Sequence, residues 1–145
     1  MKKTAFALAL SALAPVALAA VPTGKYLMSF HACNVSTTDC NNASLTLSAT
    51  VTIAAGDVGK AGSFYVAALY NDSWYANNGS AWALWPGGAL PAFSTSSAFA
   101  SSHALPILQN ANVVGLKGVQ IYAGYGTSLD DMLNNTKYGL VYNVP

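Results

Sequence analysis

Ser44-Leu45-Thr46-Leu47-Ser48-Ala49-Thr50-Val51-Thr52-Ile53 decides the fold. Leu45, Leu47, Ala49, Val51 and Ile53 alternate without a fault with Ser44, Thr46, Ser48, Thr50 and Thr52. Successive side chains of an extended backbone point to opposite faces, so this period of two makes one apolar and one polar face. It predicts a half-buried antiparallel strand, one side against a core and the other wet.

Working outward, turn chemistry punctuates the chain at short intervals. Gly56-Asp57-Val58-Gly59-Lys60-Ala61-Gly62 makes a glycine-rich connection to Ser63–Tyr70, apolar on both faces and therefore more central. Asn71-Asp72-Ser73 has side chains suited to local backbone hydrogen bonds and turns the chain. Trp74-Tyr75 and Ala81 to Trp85 read as a short hairpin about Asn77-Asn78-Gly79, ended by Pro86-Gly87-Gly88. Ser94 to Ser102 is small and polar and predicts a loop. Ala104 to Leu108 predicts a strand that Pro106 confines to an edge. Leu116 to Tyr122 follows, with Val119 and Ile121 inward, and Gly124-Tyr125-Gly126 closes it with glycines expected at backbone angles closed to other residues. Ser128 caps a helix of about two turns, with Asp130 and Asp131 at its positive end and Leu129, Met132 and Leu133 on its buried side. Tyr138 to Val144 returns as the last strand. About seven short strands with glycine turns and one short helix near the C-terminus predict an all-β, antiparallel, immunoglobulin-like β-sandwich.

The chain has 145 residues, and its first nineteen read as a secretory leader. Lys2 and Lys3 precede an apolar run from Thr4 to Leu18, and Ala17-Leu18-Ala19 has the small–x–small form of a cleavage site. Cleavage is expected after Ala19, with Ala20 as the alternative, leaving residues 20–145 as a single domain that is periplasmic or secreted. The run is too short for a membrane span, and no second apolar stretch follows it.

Every basic residue of the chain is lysine and every acid aspartate. Beyond the leader, four lysines face five aspartates, a net charge of about −1 with neutral histidines. Such a chain has no electrostatic footprint for nucleic acid and no polybasic patch for anionic lipid. The acid–base inventory is equally thin, and no metalloprotease, nucleophile-elbow or His/Cys metal spacing occurs. A non-catalytic role is expected, with no cofactor and no metal. His31 and His103 lie far apart in sequence, and Asp130 and Asp131 read as helix-start charges rather than calcium ligands. Gly56 to Lys60 lacks the spacing of a phosphate loop and reads as a turn.

Cys33 and Cys40 are the only cysteines, separated by Asn34-Val35-Ser36-Thr37-Thr38-Asp39. In an exported chain this pair predicts a disulfide, contributing about 2–3 kcal/mol by closing a small loop. It lacks the C-x-x-C spacing of a redox pair.

The candidate binding residues are aromatic. Tyr70, Trp74, Tyr75, Trp82 and Trp85 fall together beside Asn and Ser, the composition of a protein-docking or sugar-stacking surface. Alternation requires that some of them fill the core. Trp82 and one of Trp74 or Trp85 are expected to do so, leaving one or two rings exposed, with Tyr70, Trp74, Tyr75 and Trp85 as the binding candidates.

Three stretches carry a resemblance. Gly56–Ala68 has the order D-x-G-x-x-G-x-x-Y-V-A-A, Gly87–Phe93 the order G-x-L-P-A-aromatic, and Gly115–Ser128 contains G-Y-G, followed by Met132 and Tyr138. Together, over Ser44 to Val144, they resemble a recurrent module of exported proteobacterial proteins. The stand-alone form is similar to small TfpC-like periplasmic proteins that stabilise type IV pili. The resemblance implies a non-catalytic β-sandwich and a pilus or other envelope protein as partner, and supplies no catalytic residue. A carbohydrate-binding or adhesin-type surface module is the alternative expectation.

Overall fold

The computed structural model describes residues 23–30 and 43–145, and of the first strand the backbone only. The leader, His31 and the Cys33–Cys40 pair lie outside the described residues.

Among the described residues, nine strands and one helix run in the order β1 (Thr23–Phe30), β2 (Ala43–Thr52), β3 (Gly62–Tyr70), β4 (Ser73–Asn77), β5 (Trp82–Leu84), β6 (Ser94–Ser96), β7 (Ser102–Asn112), β8 (Gln120–Gly126), α1 (Leu129–Asn134) and β9 (Tyr138–Asn143). They form two antiparallel sheets, one ordered β1-β2-β7 and the other β5-β4-β3-β8-β9, with β6 paired to β3 outside that path. Taking β1, β2 and β7 as A, B and E, and β9, β8, β3, β4 and β5 as G, F, C, C′ and C″, gives an immunoglobulin-like strand order. Strand D, which would extend the smaller sheet beyond β7, is missing among the described residues. Among the described residues the sandwich is therefore lopsided, with the β4–β5 hairpin overhanging the edge of β7 that pairs with no described strand.

The deciding stretch behaves as its alternation requires. Leu45, Leu47, Ala49, Val51 and Ile53 are all buried, and the Ser and Thr between them face outward. They meet Leu105 and Ile107 of β7 and, from the opposite sheet, Phe64 and Val66 of β3 with Ile121 and Ala123 of β8. Asn71 and Asp72 both take positive φ, the geometry of a two-residue hairpin loop matched to strand twist. Asn78 Oδ1 accepts the N–H groups of Ser80 and Ala81 at 3.0 and 2.9 Å, closing the β4–β5 turn. Pro106 lies in β7, an edge strand as expected.

Several expectations need correction. Ser94–Ser102 is more than a polar loop: it carries β6 and Phe99. That ring is buried in the core, edge-on to Phe64 and Tyr125 at 5.3 and 5.4 Å. The expected strand Leu116–Tyr122 lies instead at Gln120–Gly126, so Gly124-Tyr125-Gly126 belong to β8 rather than close it, and Gly124 and Gly126 do not take positive φ. They are needed for space instead, because a Cβ on Gly124 would lie 2.7 Å from Met132 Sδ, and one on Gly126 2.5 Å from the Ser128 carbonyl oxygen. The two glycines let α1 lie directly on β8. Of the helix's predicted buried side, Met132 is buried but Leu133 is exposed.

Candidate functional site

The aromatic cluster is divided by the pleat of the larger sheet. Tyr75 pairs with Ala68 and Leu84, whereas Trp74 pairs with Leu69. Neighbours in a strand face opposite ways, so Tyr70, Tyr75 and Trp82 point inward and pack against the core. Trp74 and Trp85 point outward. The expectation that one of these two tryptophans fills the core is therefore wrong, because both stand on the outer face with the backbone N–H of Trp85 bonded to the Trp74 carbonyl at 2.8 Å. Tyr70 is fixed as well, its hydroxyl donating to the Gly115 carbonyl at 3.0 Å.

On the outer face the Trp74 and Tyr122 rings lie 5.4 Å apart and tilted by 54°. Around them Tyr65, Trp85, Leu90, Met132, Leu133 and Tyr138 line a shallow groove of about 150 Å³. No charged side chain lines this groove. Trp74, Leu133, Tyr138 and Leu140 remain 37, 44, 39 and 45 % exposed, a cluster of large apolar groups on one sheet face and its helix. Leu140 joins them because it pairs with the outward Tyr122. Tyr122, Leu133, Tyr138 and Leu140 were not among the candidates from sequence. Only the pairing of β8 with β9 and the seat of α1 bring them beside Trp74.

A second cluster joins Asp57, read from sequence as part of a turn, to Asp131, read as a helix-start charge, and to Lys137, which the sequence did not single out. Lys137 Nζ donates to Asp57 Oδ2 at 2.6 Å and to both Asp131 oxygens at 2.9 Å, with all three side chains largely buried. The Tyr125 hydroxyl donates to Asp57 Oδ2 at 3.3 Å and accepts the Ala54 N–H at 2.8 Å. Asp131 also receives Thr127 N–H at 2.9 Å and Asn135 Nδ2 at 2.8 Å. Burial alone raises a carboxyl pKa, but the Lys137 ammonium and these donors outweigh it and hold Asp131 at about 2. Against the same burial, Lys137 and Lys60 hold Asp57 below the usual carboxylate range. For Lys137, burial pushes down and the two carboxylates push up, and the net is upward. The Tyr125 phenol is raised, first by burial. Charges this fully paired with one another form a structural lock, with no group poised to exchange a proton near neutrality. The lock ties the Asp57 loop to Gly124-Tyr125-Gly126 and to the start of α1.

His103 is exposed, its ring stacked on Phe64 at 4.3 Å and 14°. No group of three or more His, Cys, Asp or Glu able to hold a metal occurs among the described residues. No helix among them is long and apolar enough to cross a membrane. Fold and site together define a β-sandwich with an aromatic, uncharged groove on the outer face of its larger sheet. Compared with protein-family models, with curated proteins and with solved structures, the chain matches none.

Proposed function

We propose that this is an exported, non-catalytic binding protein of the bacterial envelope that docks a protein partner through the outer face of its larger sheet. The observation that carries the reading is the uncharged groove about Trp74 and Tyr122, rimmed by exposed Leu133, Tyr138 and Leu140. Contiguous apolar groups of this kind on a monomer's surface mark interaction sites, and Trp and Tyr are the residues that anchor protein interfaces. A saccharide suits this face poorly, because its wall offers few hydrogen-bonding groups. The paired Asp57, Asp131 and Lys137 are consistent with a non-catalytic role.

The partner we favour belongs to the type IV pilus machinery, on the strength of the leader and of the resemblance over Ser44 to Val144. Deleting the gene and counting surface pili tests this. The expected result is a loss of piliation that the wild-type gene restores and a Trp74→Ala/Tyr138→Ala gene does not. Normal surface pili in the deletion strain would remove the pilus from the proposal. A double variant that restores pili fully would remove the outer face.

A further inference from the structure

The lopsided sandwich leaves a second, chemically different concavity. Because no strand D extends the smaller sheet among the described residues, the β4–β5 hairpin overhangs β7, and an open cleft of about 720 Å³ runs between them. This volume is within the range of small-ligand sites. Its wall differs from the outer groove in kind. Asn77, Ser80, Ser94 and Gln109 supply amides and hydroxyls, and Trp82, Phe93 and His103 supply rings. As in the outer groove, no lysine or aspartate lines it, and the chain has no arginine or glutamate.

Several of these groups are held in place by the protein itself. The side-chain Oδ1 of Asn77 accepts the Gly79 N–H at 2.9 Å, which fixes the amide plane of a residue only 5 % exposed. Ser94 Oγ is buried without a partner, a state that costs free energy unless a ligand or water meets it. The imidazole of His103 is held flat by its stack on Phe64, while the residue itself stays exposed at the cleft.

We infer that this cleft is a binding site for a neutral saccharide. Rigid rings give a sugar's C–H faces a surface to lie on, and uncharged amides and hydroxyls match its hydroxyl groups. A wall with no cation excludes phosphorylated, sulfated or acidic sugars as preferred ligands, and a wall with no carboxylate excludes amino sugars bearing a free ammonium group. The inference is independent of the protein-docking face, which lies on the opposite side of the same sheet.

The test is a titration of the intact, isotope-labelled protein with maltose, cellobiose, lactose and N,N′-diacetylchitobiose, followed by amide and side-chain NMR shifts. At least one of them is expected to shift the Asn77 amide, the Trp82 indole and the His103 ring together, leaving Trp74 unmoved. His103→Ala should weaken that binding tenfold or more; it gives up the stack on Phe64, so a modest fall in melting temperature is expected, and binding is read well below that transition. Gln109→Ala should weaken binding more mildly. No shift with any of the four sugars at tens of millimolar overturns the proposal. So does binding that shifts Trp74 rather than the cleft, or a His103→Ala protein that binds as tightly as the wild type. If extended peptides shift the β7 amides where sugars do not, the cleft is a strand-docking edge and the saccharide reading is lost.

Discussion

Two adjoining regions of this sandwich treat polar and aromatic groups in opposite ways. Where the Asp57 loop, Tyr125 and α1 meet, polar side chains are turned upon one another. Lys137 serves two carboxylates, Asp131 accepts four donors, and the Tyr125 hydroxyl both gives and receives a hydrogen bond. Along the outer sheet face, by contrast, Trp74, Leu133, Tyr138 and Leu140 stand exposed with nothing covering them among the described residues. The difference separates stability from recognition. Groups that satisfy each other hold the fold and have nothing left to offer a ligand, whereas exposed rings add little to the fold and remain free to bind.

The hardest way to break this division is to remove Lys137. Lys137→Ala strands Asp57 and Asp131 beside each other in a largely buried place, and losing one partner of a buried ionic network costs about 3 kcal/mol. Urea denaturation should show that loss as a lower midpoint. A change under about 1 kcal/mol would mean that the lock is ornamental.

Acidity probes the same lock more gently. Asp131 titrates at about 2 in the folded protein against an ordinary 3.8, so its contribution is present above pH 3.8 and is lost as pH falls toward about 2. The size of that contribution is about 2 kcal/mol. Lys137 lies above its ordinary 10.5, so its share is present below that pH and is lost as pH rises through the folded value. The melting temperature should therefore be level near neutrality and fall at both extremes. In the Lys137→Ala protein the acid limb should flatten or reverse, since protonating the stranded carboxylates then relieves repulsion. An unchanged acid limb in that variant would separate Asp131 from Lys137.

Tyr125→Phe is milder. It leaves the ring against Phe99 and removes only the hydroxyl, so the Ala54 N–H loses its acceptor. A loss of about 1–2 kcal/mol is expected, readable in the same denaturation assay.

Sequence reading reached the locked end and the outer face unequally. Strands with a clear period were legible: the alternation over Ser44–Ile53 falls on β2 (Ala43–Thr52) with its apolar face inward, and Ser63–Tyr70 falls on β3 (Gly62–Tyr70). The Ser128 cap was legible too, because its signal is local, and its Oγ accepts the Asp131 N–H at 3.1 Å. What escaped was whatever depends on distant partners. Phe99 sits in a run of small polar residues and gives no periodic sign of being core. Asp57 and Lys137 are eighty positions apart, and nothing local says that they meet. Gly124 and Gly126 suggested unusual backbone angles, since that is the local reason for glycine, but the helix lying on them supplies a non-local one. The aromatic cluster was found as a composition, and only strand pairing could sort Trp74 and Trp85 from Tyr70, Tyr75 and Trp82.

The smallest expected effect on stability is the most telling about function. Trp74 and Tyr138 stand on the outer face with more than a third of their surface in water. Truncating each to Ala removes a side chain of which more than a third is already wet, and leaves no buried donor unmet. Trp74 also loses its contact with Tyr122, worth about 0.5–1.5 kcal/mol for an aromatic pair. Trp74→Ala should therefore lower stability by about 1 kcal/mol, and Tyr138→Ala by less. If the outer face is an interface, the same variants should weaken partner capture from an envelope extract by tenfold or more, the size expected of an anchor residue. Two measurements on one variant thus bear on the division directly. A large loss of stability with capture in proportion would make Trp74 a structural residue after all, and recognition would have to lie elsewhere. Intact stability with lost capture would place recognition on the face that the fold leaves bare.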